Sequence, residues 1–262
     1  MSQPTALHDR VERERQAHEV DDVLAHSQAL KDRFSHVVKT PGYLEMEARQ
    51  VALIEQMRDA RVLDYGCGRG QMSLQYLKAG ARQVKGIDIS ATYVAEAAAR
   101  CKEACYPPER FCFEVMDAHA LTYADDSFDW VIGRGILHHL DLGTAMEEIR
   151  RVLRPGGRAV FLEPLADNPL LRLFRAITPS ARTIDERPLT RSDLNTVSAG
   201  MQSETLFFGM FTSPAAMLTS ILMPRSPANP IIGLTDRLER IFRRRHWLDN
   251  YHQYALLILR LP

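Results

Sequence analysis

The 262-residue sequence has no surplus of either charge, few cysteines and no long apolar run, and each shortage excludes something. Lysine plus arginine and aspartate plus glutamate stand at 33 each, so no global field draws the chain to nucleic acid, and no nucleic-acid partner is expected. From Met1 to Arg15 the chain is polar and charged without an apolar stretch, so a secretory leader is not expected and a cytoplasmic location is. No apolar run reaches the roughly 18–20 residues that span a bilayer, because the stretch near Ile221 is cut by Pro224, Pro227 and Pro230. Stable membrane insertion is therefore not expected, and peripheral contact stays open. Cys67, Cys101, Cys105 and Cys112 form no C-x-x-C pair, so reduced thiols and no metal site are expected.

What is present is enough apolar material, 45% of residues, to fill one sizeable core. Helical patterns run from His8 to Leu30 and from Tyr43 to Met57, and short β-branched or aromatic runs then alternate with helical ones. The expected strands are Arg61 to Tyr65, Gln83 to Asp88, Phe111 to Met116, Phe128 to Gly133, Arg158 to Glu163, Thr205 to Phe211 and Tyr251 to Leu259. The fold class is α/β: a doubly wound, mostly parallel, seven-stranded Rossmann-like sheet with its last strand antiparallel, plus N-terminal helices and an inserted helical lid. The chain divides into a helical cap over 1–58, a binding core over 59–163, an inserted helical region over 164–203 and C-terminal strands with an apolar and basic helical insertion over 204–262.

The first strand runs into Gly66-Cys67-Gly68-Arg69-Gly70, where glycines permit a sharp turn and close approach of a ligand. Tight strand-to-helix turns also need glycine for purely structural reasons. The G-x-G-x-G spacing differs from the G-x-G-x-x-G that serves a pyrophosphate, which favours a ligand without phosphates. Asp88, twenty residues beyond Gly68, closes the second strand. An ionised carboxylate there accepts from two neighbouring ribose hydroxyls, or it caps the next helix.

Val62-Leu63-Asp64-Tyr65-Gly66-Cys67-Gly68-Arg69-Gly70 resembles the first motif of the class I S-adenosylmethionine-dependent methyltransferases. Four further stretches resemble that family in order and spacing: Gly86 to Ser90, Met116-Asp117-Ala118, Phe128 to Val131 through Ile136-Leu137-His138-His139, and Arg151 to Gly157. The resemblance implies S-adenosyl-L-methionine as cofactor and S-adenosyl-L-homocysteine as product. It also implies transfer of the methyl group to a small-molecule acceptor, such as a secondary metabolite or lipid-like compound. It assigns Asp64 and the Gly66-Cys67-Gly68 backbone to the methionine end, Asp88 to the ribose, Asp117 and the Ala118 amide to adenine, and Ile89 and Met116 to the ring faces. Arg134 departs from the small or amide residue of many relatives; it serves the cofactor carboxylate, an anionic substrate or a nearby acid. A non-catalytic S-adenosylmethionine-binding protein and a nicotinamide-dependent oxidoreductase are the competing readings.

A proton acceptor is needed only for a hydroxyl or an acidic carbon. His139 is the first candidate base and Glu163 the second, with packing and loop pinning as their structural alternatives; His138, Tyr43 and Phe34 are candidates for the acceptor side. The aromatic and methionine-rich stretch from Leu206 to Met223 walls an acceptor pocket or belongs to the core. The basic helix from Arg237 to Arg245 is a solvated face or touches an anionic membrane. A monomer or a homodimer fits the sequence equally.

Overall fold

The computed structural model describes residues 9, 11–13, 15, 29, 32–177, 187–242 and 245–262. Most of the expected helix from His8 to Leu30, with Arg243 and Arg244 of the expected basic helix, lies outside the described residues.

Seven strands form one sheet: β1 (Arg61–Tyr65), β2 (Gln83–Asp88), β3 (Phe111–Val115), β4 (Phe128–Arg134), β5 (Leu153–Pro164), β6 (Gln202–Phe208) and β7 (Tyr254–Arg260). Their spatial order is β3-β2-β1-β4-β5-β7-β6, and β7 runs antiparallel to both β5 and β6. The chain fills one half of the sheet outward from β1 and then returns to lay β4 on the other side of it. That reversal opens a crevice beyond the carboxyl ends of β1, β2 and β4.

Both faces are covered, so the central strands are apolar on successive residues rather than on alternate ones. Val62, Val84, Trp130, Ile132 and Val160 face one helical layer. That layer comprises α1 (Pro41–Ile54), α2 (Gln71–Lys78) and α3 (Ala91–Glu103). Leu63, Tyr65, Ile87, Val131 and Phe161 face the other, where α4 (Leu142–Val152) presents Leu142, Ala145, Met146, Ile149 and Val152 at helical spacing. Each fully buried aliphatic side chain there contributes about 1.5–3 kcal/mol.

Side-chain caps fix where the helices begin. Thr40 accepts from the Tyr43 amide, Ser90 from the Tyr93 amide and Asp141 from the Thr144 amide.

The segment expected as an insertion divides in two. α5 (Pro169–Ile177) lies outside the sheet layers, whereas α6 (Arg191–Ser198) buries Leu194 and Val197 in the main core and is the crossover into β6. Several strand ends also depart from expectation. β6 stops at Phe208, because Gly209 turns with φ +82° and Glu239 accepts the amides of Gly209, Phe211 and Thr212. β7 begins at Tyr254, since His246–Tyr251 coil into a 3-10 turn. β5 starts earlier than expected, with Leu153 paired to Phe128 across a register shift.

Beyond β6 the chain forms a helical hairpin, α7 (Thr212–Leu222) and α8 (Pro230–Phe242). It rests on a satellite core of Phe34, Val37, Ala216 and Ile232.

Candidate functional site

A cavity of about 200 Å³ lies at the carboxyl ends of β1, β2 and β4. Gly66, Gly68, Asp88, Ile89, Met116, Asp117 and Ala118 line it, with His119, Tyr93, Gly135, Ile136, His139, Leu140 and Val11 completing the wall.

Two glycines of the first loop do different work. Gly70 has φ +75°, and a Cβ there would stand 2.7 Å from the Cβ of Ala97 on α3, so it is a packing glycine. Gly68 has φ +49°, and a Cβ there would meet nothing within 4 Å, so its open side gives onto the cavity. The loop is held from outside: Arg69 pairs with Glu96 at 3.0 Å and lies over the Tyr93 ring, and Arg100 donates to the Arg69 carbonyl.

Asp88 accepts the Gly68 amide on one carboxylate oxygen at 2.9 Å and the Ser90 amide on the other at 3.0 Å. Each oxygen keeps a second lone-pair direction. Asp117 accepts on Oδ1 from both the amide and the ring Nδ1 of His119, at 2.9 and 2.7 Å. The Asp141 amide donates to His119 Nε2 at 2.9 Å, so the ring proton sits on Nδ1 and points at Asp117. Tyr65, buried in β1, donates its hydroxyl to the Ala118 carbonyl and ties this loop to the sheet.

Beneath β4, Glu163 is fully buried. Its Oε1 accepts the amides of Ile136 and Leu137 at 3.0 and 2.9 Å, and its Oε2 accepts His138 Nδ1 at 2.7 Å. Both oxygens are engaged inside the protein, so Glu163 does not itself face the cavity; it shapes the loop after β4 and orients His138. With its proton held on Nδ1, neutral His138 carries its lone pair on Nε2. Its Cε1 edge faces Gly135, and the His139 ring lies 4.1 Å away on the cavity wall.

Five further expected site residues, Asp64, Cys67, Arg134, Tyr43 and Phe34, do not line this cavity, and Arg134 takes the nearby acid among its expected partners. Asp64 is buried under the glycine loop, where Ser73 Oγ of α2 donates to it. Burial raises its carboxyl to about 7, and the Ser73 hydrogen bond only partly offsets this. The Cys67 side chain turns back towards Gly86 and away from the cavity, and burial pushes its thiol well up. Arg134 donates to Glu47 at 2.9 Å and to the Tyr43 hydroxyl at 3.2 Å, so it pairs with α1 beside a separate small cavity and does not line the main one. Tyr43 is thereby fixed as the partner of Arg134. Phe34 packs edge-on against Phe174 in the satellite core, because an aromatic ring there completes the seat of the helical hairpin.

In the stretch from Leu206 to Met223, Phe208 belongs to the core, while Leu218 and Met223 are exposed. His119, Tyr93 and Leu140 are cavity residues that sequence reasoning missed. The Asp-x-His spacing of Asp117 and His119 is the one local signal that pointed to any of them.

Residues 62–157 match a family described as a methyltransferase domain. The chain is 29% identical over 137 residues to a demethylmenaquinone methyltransferase of Bacillus velezensis, a stretch covering 50% of this chain and 57% of that protein. The chain thus spans about half the length of that curated relative. Among solved structures it resembles the geranyl diphosphate C-methyltransferase of Streptomyces coelicolor A3(2), crystallised with Mg2+, geranyl diphosphate and S-adenosyl-L-homocysteine. That likeness has a TM-score of 0.59 at 15% identity, over 83% of this chain and 78% of that one. It also resembles the [4+2]-cyclase SpnF, with a TM-score of 0.54 at 24% identity, over 82% and 80% of the two chains. At these identities the structural likeness concerns the fold.

Proposed function

We propose, from the premise that residues 62–157 are a class I S-adenosylmethionine-dependent methyltransferase domain, that the whole chain methylates a small-molecule acceptor. The observation that carries this is the single cavity wall shared by Gly68, Asp88 and Asp117. An open approach at Gly68, an acid at the end of β2 and an acid with apolar neighbours after β3 fit the three parts of S-adenosylmethionine.

In this reading Gly66 and Gly68 border the methionine end. Asp88 uses the lone pairs left by the Gly68 and Ser90 amides to accept from the ribose hydroxyls. Asp117, oriented by His119, accepts from the adenine amino group, while Ile89 and Met116 take the flat ring faces. Asp64 and Arg134 act at one remove, by holding α2 and α1 to the loops. When bound, the cofactor supplies a methyl carbon activated by its sulfonium leaving group.

The protein's own work is alignment, exclusion of water and removal of a proton. His138 accepts the acceptor's proton at Nε2, and Glu163 steadies the resulting imidazolium through Nδ1, the arrangement in which a buried carboxylate fixes a histidine's tautomer. His139 stacks on His138 and forms the wall that the acceptor meets. A built base favours a nucleophile that must lose a proton, namely a hydroxyl or an acidic carbon.

Binding of S-adenosylmethionine without methyl transfer is the second reading, prompted by the likeness to a cyclase. Incubation with the cofactor and a panel of phenols, quinols and aliphatic alcohols separates the two. Release of S-adenosylhomocysteine that depends on an acceptor supports the proposal, and cofactor binding with no turnover across the panel supports the second reading.

A further inference from the structure

We propose that the α7–α8 hairpin docks on the surface of an anionic lipid bilayer. No helix among the described residues is long and apolar enough to cross a membrane, so the contact is superficial.

The hairpin and the 3-10 turn that follows it turn large apolar side chains to water that a folded protein ordinarily covers: Leu222 is 65% exposed, Leu234 60%, Ile241 68% and, on the turn, Trp247 65%. On α8, Ile231, Leu234, Leu238 and Ile241 recur at helical spacing, within a stripe of about 80° at 100° per residue. This orientation is enforced. The opposite face buries Ile232 and Glu239, and Glu239 accepts the amides of Gly209, Phe211 and Thr212 together with the Thr212 hydroxyl. Rolling α8 to hide its apolar stripe would strip a buried carboxylate of four hydrogen bonds, so the fold holds the stripe outward.

Charge selects the occupant. Residues 223–247 contain six arginines and two acids, Asp236 and Glu239. Asp236 offsets Arg240, with which it is paired, and Glu239 is spent on the amides above, so the region keeps a net positive charge, and Arg237 lies beside the apolar stripe on the helical wheel. Two copies meeting across this face would set arginine against arginine, whereas an anionic headgroup layer complements the arginines while the acyl boundary takes the apolar ridge. Exposed Trp247 is the residue type that settles at such a boundary. The hairpin leaves the sheet at the carboxyl end of β6, the edge on which the cavity opens.

The test is co-sedimentation of the full chain with vesicles of phosphatidylcholine alone and of phosphatidylcholine with phosphatidylglycerol. Binding is expected only to the anionic vesicles and is expected to weaken with salt. Trp247 emission should shift to the blue on binding, since Trp130 is already buried. A Leu234→Ser, Ile241→Ser, Trp247→Ser variant, altered only at exposed positions, should lose about tenfold or more in partitioning with an unchanged Tm. Wild-type protein that neither sediments with anionic vesicles nor shifts its emission overturns the proposal, as does a variant that binds like the wild type. A dimer in sedimentation velocity that the variant abolishes, without vesicle binding, gives the face to a second copy and overturns it too. None of these readouts depends on the methyltransferase reading.

Discussion

His119 aims its Nδ1 proton at Asp117 Oδ1 across 2.7 Å while its other ring nitrogen accepts the Asp141 amide, so one histidine joins the loop after β3 to the start of α4. This holds the Asp117 carboxylate in one orientation at the cavity wall. His119→Phe keeps the ring volume and removes both bonds. S-adenosylhomocysteine should then bind about tenfold or more weakly by titration calorimetry, because hydrogen bonds to charged groups are worth roughly 1.5–3 kcal/mol. Equal affinity in a folded variant would show that Asp117 does not depend on His119.

Two glycines separate binding from stability. Gly68→Ala places a left-handed residue next to open space, which costs roughly 1–2 kcal/mol of stability and intrudes on the ligand. Its main effect should be lost cofactor affinity with a modest fall in Tm. Gly70→Ala carries the same backbone cost and drives its Cβ into Ala97, so its main effect should be on Tm. Thermal melts and calorimetry on the two variants should give opposite patterns, and a matching pattern would contradict the division.

The Glu163–His138 pair should act on rate rather than on cofactor binding. His138→Asn should lower kcat/KM about 10²–10⁴-fold at unchanged S-adenosylhomocysteine affinity. Glu163→Gln should slow the reaction and also lower Tm, because Glu163 holds two backbone amides as well as the imidazole. If His139→Asn costs that much rate and His138→Asn does not, the base is His139.

Asp64 should make stability depend on pH. Burial lifts its carboxyl from the ordinary 3.8 to about 7 in the folded protein, so folding favours the protonated acid. Its contribution is fully present below about pH 4 and is lost as pH rises through 7, an effect on the order of a few kcal/mol. Asp64→Asn, which keeps an oxygen for Ser73, should lose less stability than the wild type between about pH 5 and about pH 8 in urea titrations. Parallel losses would show that Asp64 titrates normally.

The parts legible in the sequence were those whose physics is local. β1 and β2 lie where apolar runs end at the glycine loop and at Asp88, because the turn residues that stop them are their sequence neighbours. Asp88 reached the cavity because it closes β2, and Asp117 because it stands in the loop just after the neighbouring β3. What failed depended on distant partners. The run from Thr205 to Phe211 reads as an unbroken strand until Glu239 draws off the amides beyond Phe208. Arg134 was open to a ligand or a nearby acid, and Glu47 on α1 supplies the acid; Phe34 reads as an acceptor-side residue until Phe174 packs on it. Glu163 carried a proton-transfer chemistry in its residue type, but three hydrogen bonds inside the fold make it the group that orients His138.

The central claim is that the cavity beside Gly68, Asp88 and Asp117 receives S-adenosylmethionine. Titration calorimetry of the purified chain with S-adenosylmethionine, S-adenosylhomocysteine and NAD tests it most directly. Saturable binding of the first two and none of NAD, with affinity reduced roughly 10–100-fold in Asp88→Ala, is the predicted result. Absence of binding by either sulfur ligand in a folded sample, or affinity that Asp88→Ala leaves unchanged, would contradict it.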